Sequence, residues 1–177
     1  MFHYIDTLLK LQRFTGRPVI AGRLNSLGLG LISLGLVGFS AGAARFESFS
    51  EEMHKDTGVG YNLYERYYFP ELLGTVSIEK KKPTRLNLIS NVLGACQCRY
   101  CNGKSAEDVI NAQNNKLHYI YSVSKEVDTI KNVVDKHAYF LQRINQAISN
   151  YQKLTAVYKK DDYKHLLVWK EVFENIK

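Results

Sequence analysis

PVIAGRLNSLGLGLISLGLVGFSA, residues 18–41, is the stretch on which the fold turns. Val19-Ile20-Ala21 is a short apolar run behind Pro18 and reads as a strand. Asn25-Ser26 supplies a helix N-cap, the helix runs from Ser26 to Leu34, and Gly35 stops it. Leu36 to Ala41 reads as a second short, buried strand. Strand, helix and strand joined by short links predict a parallel pair with a right-handed crossover. The competing reading is a membrane span. Leu24 to Ala44 carries no charge, is flanked by Arg23 and Arg45, and matches the roughly 20 apolar residues a bilayer needs. Gly38 and Gly42 even give a small-xxx-small spacing. The five glycines of this segment and its two unlike halves favour the helix–strand unit over the span.

Upstream, residues 3–14 predict a helix with Ile5, Leu8, Leu9 and Leu11 near one face, ended by Thr15-Gly16-Arg17-Pro18. Downstream, residues 42–60 read as loop. Residues 61–74 are rich in tyrosine: Tyr61, Tyr64, Tyr67 and Tyr68 surround Arg66, and Tyr61, Tyr64 and Tyr68 share a helical face, which reads as packing against a scaffold, with base stacking as the alternative. Residues 79–85 form a basic turn, and apolar Leu86 to Leu93 leads into Ala95-Cys96. Ser105-Ala106-Glu107-Asp108 opens a helix as a capping box with Asp in place of Glu. Ile120, Val123, Val127, Ile130, Val134, His137, Leu141, Ile144, Ile148 and Tyr151 then alternate steps of three and four. They predict one long helix, roughly 48 Å in extent, with His137 the lone polar member of its seam. Asp161 or Asp162 caps a last helix, on which Leu166, Trp169, Phe173 and Ile176 share a face. The expected fold class is α/β passing into α: a partial TIM-barrel-like βαβ unit, a zinc-binding loop and a long C-terminal helical hairpin. The expected division is 1–91 for the α/β region and 92–177 for the zinc loop and helices.

The 177 residues suffice for one hydrophobic core, and 45% hydrophobic with 23% charged is ordinary globular composition. The formal charge of +7 points to a polyanion such as nucleic acid, or to a phosphate-bearing ligand. MFHYIDTLLKLQRF lacks the ordered regions of a signal peptide. The three cysteines fall within six residues, which argues for a metal in a reducing, cytoplasmic setting rather than a disulfide framework.

Those cysteines form Cys96-Gln97-Cys98-Arg99-Tyr100-Cys101. Zinc takes four soft or borderline ligands in a tetrahedron. The two-residue spacing between Cys98 and Cys101 is that of a zinc knuckle, and Cys96 reaches the same metal from a turn. His118 is the expected fourth ligand. His137 lies roughly 28 Å farther along a continuous helix and cannot serve the same ion; it reads as a core or interface histidine. Glu47, Glu51 and Glu52 sit in a polar loop and receive no role.

Cys-x-Cys-x-x-Cys followed by a histidine in Leu117-His118-Tyr119-Ile120-Tyr121 resembles the C-terminal zinc site of the tRNA-guanine transglycosylases. That family is built on TIM barrels, and it exchanges guanine for a 7-deazaguanine base in tRNA, as in queuosine formation, or in DNA among relatives. The resemblance covers residues 18–41, similar to the seventh and eighth barrel strands, and residues 92–150. It implies zinc on Cys96, Cys98, Cys101 and His118, and tRNA or DNA as partner. In a barrel, the loops after strands seven and eight often hold phosphate. Arg23 and Arg45 are therefore expected contacts, with the basic run of Lys80, Lys81, Lys82 and Arg85 as a further one.

Two departures matter. A barrel needs eight strands and this chain supplies two. Ser40, in Gly35-Leu36-Val37-Gly38-Phe39-Ser40, stands where the family carries its aspartate nucleophile, and serine is no carboxylate. No catalytic residue is therefore assigned. The missing strands are expected from a partner chain, with a homodimer through the 120–151 seam as the other arrangement. The alternative function is a non-enzymatic zinc module for nucleic-acid or protein binding.

Overall fold

A computed structural model describes residues 1–22, 24–41, 66–77, 84–157 and 163–176. Helix α1 spans Phe2–Thr15 and ends at Gly16, whose φ of 64° is the left-handed C-cap conformation that glycine adopts without strain. Strand β1 (Ile20–Ala21), helix α2 (Leu27–Ser33) and strand β2 (Gly38–Phe39) follow. The strands pair in parallel, Ile20 opposite Gly38 and Ala21 opposite Phe39. Every residue of α2 is buried, which explains its apolar, uncharged sequence without a bilayer. Among the described residues, no helix is long and apolar enough to cross a membrane.

The glycines of α2 serve close packing. A Cβ on Gly28 would run into the ring of Phe39, and one on Gly30 would sit 2.5 Å from Cε1 of Phe140 and closer still to Phe173. Gln12 ties α1 to the unit: its Nε2 donates to the Gly35 carbonyl at 2.8 Å, and its Oε1 accepts from the Val37 N–H at 3.2 Å.

The tyrosine-rich segment departs from its expected helix. Arg66–Phe69 is strand β3, joined by a single 3-10 turn at Pro70–Leu72 to the antiparallel strand β4, Gly74–Ser77. Tyr67 and Tyr68 are both buried, because β3 is enclosed on its two faces. Tyr61 and Tyr64 lie outside the described residues. So do the expected loop at 42–60 with Glu47, Glu51 and Glu52, and the lysines of the basic turn.

Helices α3 (Thr84–Leu93), α4 (Ala106–Asn111), α5 (Asn115–Asn132), α6 (Lys136–Val157) and α7 (Lys164–Asn175) complete the chain. The fold class is α/β passing into α. Ser105 caps α4 as expected, its Oγ accepting the Asp108 N–H at 3.1 Å.

The single long helix over 120–151 is overturned. It breaks at residues 133–135, where Asp135 Oδ1 accepts the Ala138 N–H at 2.8 Å and starts a new helix. Glu126 and Arg143, which would stand roughly 25 Å apart on one continuous helix, meet at 2.9 Å. The chain has reversed, and the one long stripe is two stripes. Ile130, Ile144 and Tyr151 are buried within the chain, whereas Val134 is fully exposed at the turn and Ile120 is exposed.

The last helix packs on α6 as expected, with Leu166, Trp169 and Phe173 buried. Its N-cap position is Tyr163; Asp161 and Asp162 lie outside the described residues. His137 does more than fill a seam. Its Nε2–H donates to the Phe173 carbonyl at 2.8 Å, satisfying one of the orphan carbonyls in the last turn of α7.

Candidate metal centre

The cysteine loop begins where α3 ends. Gly94 (φ 89°) closes the helix, its N–H bonding the Ser90 carbonyl at 2.8 Å. The next residues form a tight knuckle. The Cys98 carbonyl accepts the N–H groups of Cys101 and Asn102 at 3.0 and 2.8 Å, and the Cys96 carbonyl accepts that of Gly103 at 3.0 Å. Asn102 (φ 50°) and Gly103 (φ 73°) are consecutive left-handed residues, the two residue types that turn this way at least cost. The knuckle thus aims three sulfurs inward. Cys101 is completely buried, and Cys96 and Cys98 are half-buried.

His118 comes from the first turn of α5 and is completely buried. Its Nδ1 lies 3.8 Å from Cys96 Sγ, 3.4 Å from Cys98 Sγ and 3.2 Å from Cys101 Sγ. The four ligand atoms all lie within 4.8 Å of one another. In a tetrahedral site with metal–sulfur bonds of about 2.3 Å and metal–nitrogen bonds of about 2.0 Å, sulfur and nitrogen stand about 3.5 Å apart. The observed spacings bracket that value, and the cluster is a possible Cys3His metal site.

Strand β3 sets the imidazole. His118 Nε2 donates to the Tyr68 carbonyl at 2.8 Å, which fixes the ring and leaves Nδ1 as the nitrogen that faces the sulfurs. Asn115, three residues earlier on α5, bonds the Arg66 carbonyl at 3.2 Å. Carbonyls two residues apart lie along one edge of a strand, so α5 is stitched to that edge by a matching pair of side chains. The strand is anchored in turn from behind: Arg143 Nη2 bonds the Pro70 carbonyl at 2.8 Å, and Asn150 Nδ2 bonds the Glu71 carbonyl at 2.9 Å.

Tyr67 also belongs to this site, and sequence reasoning missed it. Its ring lies parallel to the His118 imidazole at 9°, with centroids 4.5 Å apart. Its hydroxyl is 3.2 Å from Cys101 Sγ. No motif marks it; the tyrosine-rich character of 61–74 was the available signal, and reading that segment as helix turned Tyr67 to the wrong side.

Without a metal, the cluster holds its protons unequally. The hydrogen bond from Cys101 lowers the Cys96 thiol to about 3, and its contacts with His118 and the Cys98 N–H act the same way against burial. Cys101 moves up, through that same hydrogen bond and then through burial. Cys96, the more exposed of the pair, is thus the thiolate. Burial pulls His118 down, yet its hydrogen bonds to Cys96, Cys98 and the Tyr68 carbonyl lift it to about 9. Burial pushes the Tyr67 phenol far above its ordinary range and the neighbouring Cys101 pushes it further, so it stays a donor.

Of the expected phosphate contacts, Arg85 is the one described. It sits half-buried in the first turn of α3. Arg23, Arg45, Lys80, Lys81 and Lys82 lie outside the described residues. Ser40 is exposed just beyond β2, its N–H bonding the Ala21 carbonyl at 2.8 Å.

Comparison of the chain with protein-family models, with curated proteins and with solved structures gives no match. The site by itself defines the class: a chain with a possible Cys3His metal centre between helices α3 and α5.

Proposed function

We propose that the metal is zinc, held structurally, and that the chain is the zinc-binding C-terminal portion of a tRNA-guanine-transglycosylase-like protein that does not catalyse base exchange alone. The observation that carries this reading is the convergence of Cys96, Cys98, Cys101 and His118 within 4.8 Å of one another, with the His118 Nδ1 3.2 to 3.8 Å from the three sulfurs. A closed set of thiolates and imidazole suits zinc and leaves no open position for chemistry. The parallel β1–α2–β2 unit supports the barrel part of the reading. Parallel sheets normally lie buried with several strands, yet among the described residues two strands pair in parallel and Ile20 and Val37 are exposed. That is what the final units of an incomplete barrel would look like, with tRNA or DNA as the polyanion that the charge of +7 suits.

Elemental analysis of protein from metal-replete expression tests the first half. About one zinc per chain is expected, and less than about a tenth of an equivalent would sink the site. The second half is tested by co-purification with a partner whose sequence carries the missing strands and an aspartate nucleophile. Labelled guanine should enter tRNA only when both chains are present. Incorporation by this chain alone would show that the active site is misplaced.

A second reading, a non-enzymatic zinc module that binds nucleic acid, is favoured by one surface feature. The exposed Arg99 guanidinium of the knuckle lies over the rings of Tyr100 and Tyr121 at 4.8 and 5.3 Å, a pairing of charge and stacking surface. Salt-sensitive nucleic-acid binding without any barrel partner would favour it.

A further inference from the structure

We propose that Tyr67 is the positioning residue of the metal centre: its O–H donates to the Cys101 sulfur, holding that sulfur as a metal-bound thiolate, while its ring braces the His118 imidazole. The inference rests on the metal reading above and deepens it.

The case begins with charge. Three thiolates and one divalent cation leave a net negative charge, and Cys101 brings its share into a place with no solvent exposure. A buried anionic acceptor needs donors, since burial strips it of the water that would otherwise supply them. Cys96 and Cys98 are half-buried and open to water, and Cys96 also accepts the Cys98 N–H at 3.4 Å. Cys101 has spent its own N–H on the Cys98 carbonyl. The Tyr67 hydroxyl, 3.2 Å from Cys101 Sγ and itself on a residue only 2% exposed, is the donor at hand.

The ring adds a second constraint. Tyr67 is stacked on His118 on one side and meets Phe69 edge-on at 4.9 Å, so it cannot swing away. Two consecutive residues of β3 therefore govern two ligands from one rigid strand. The Tyr68 carbonyl fixes the His118 ring, and the Tyr67 side chain sets the charge and direction of Cys101. Such outer partners typically account for about 10–100-fold in metal affinity. The hydrogen bond also draws electron density from the sulfur, which makes Cys101 a poor nucleophile and leaves Cys96 and Cys98 as the sulfurs exposed to oxidants and alkylating agents.

The test uses the full chain loaded with cobalt(II), whose sulfur-to-metal charge-transfer band reports electron density on the thiolates. Tyr67→Phe keeps the ring and removes the donor. It should bind cobalt and zinc about 10–100-fold more weakly in competition with a chromogenic chelator, and its charge-transfer band should move to longer wavelength. A fluorinated tyrosine at position 67, a stronger donor of the same shape, should move the band the opposite way; it keeps the question answerable if the Phe variant does not fold. Unchanged affinity and unchanged bands in both proteins overturn the role of Tyr67 while leaving the metal site standing. A wild-type chain that takes up neither metal overturns the metal reading itself.

Discussion

Replacing His137 with phenylalanine isolates a single hydrogen bond. The imidazole stacks on Phe173 at 6.1 Å and 24°, a contact that a phenyl ring preserves. What is lost is the bond from Nε2–H to the Phe173 carbonyl at 2.8 Å. That carbonyl belongs to the last turn of α7, and among the described residues no backbone N–H bonds it. Stranding a buried acceptor costs about 1–3 kcal/mol, and a half-buried one falls toward the lower end, about 1–2 kcal/mol. For a chain of this size each kcal/mol moves Tm by about 2–4 °C, so a drop of about 2–8 °C is expected. Differential scanning calorimetry of the metal-loaded protein is the assay. Had His137 been the polar blemish of a dry coiled-coil seam, as its spacing suggests, an apolar replacement would stabilise the chain. An unchanged or higher Tm would therefore refute the capping role and restore the seam.

The remaining expectations concern packing, protons and charge. Gly30→Ala forces a methyl against Phe140 and Phe173, both without room to swing, and should cost about 1–3 kcal/mol in urea unfolding with an unchanged m-value. Because His118 holds its proton up to about pH 9 in the metal-free site, zinc must displace it. Calorimetry in two buffers between pH 6 and 8 should record proton release from His118 as well as from the thiols, and affinity should fall as pH falls; a His118→Ala chain that releases as many protons as the wild type would mean that His118 is not a ligand. In the metal-free chain the sign reverses. The raised His118 value adds stability that is complete below its ordinary 6.5 and is lost as pH rises through about 9, which chemical denaturation with chelator present would detect. Under the nucleic-acid reading, charge reversal at Lys80, Lys81 and Lys82 should weaken binding and flatten its salt dependence, whereas binding indifferent to salt would exclude this patch.

The sequence by itself determined the parts whose signals are local. Pro18 to Ala41 spelled strand, helix and strand through its caps and glycines, because a cap satisfies its own helix end whatever lies beyond. Ser105 announced α4 for the same reason. The cysteine spacing marked a metal-ligating loop, since a knuckle is closed by hydrogen bonds among neighbours. Only the tertiary structure decided the rest. The three–four spacing from Ile120 to Tyr151 fits one helix or two facing helices equally, because each buries a stripe of the same period; the Asp135 cap and the meeting of Glu126 with Arg143 settled it. Tyr67 and Tyr68 needed a strand enclosed on both faces before one reached Cys101 and the other His118. Those contacts join residues 34 and 50 positions apart, and no local pattern encodes a distance that only folding closes.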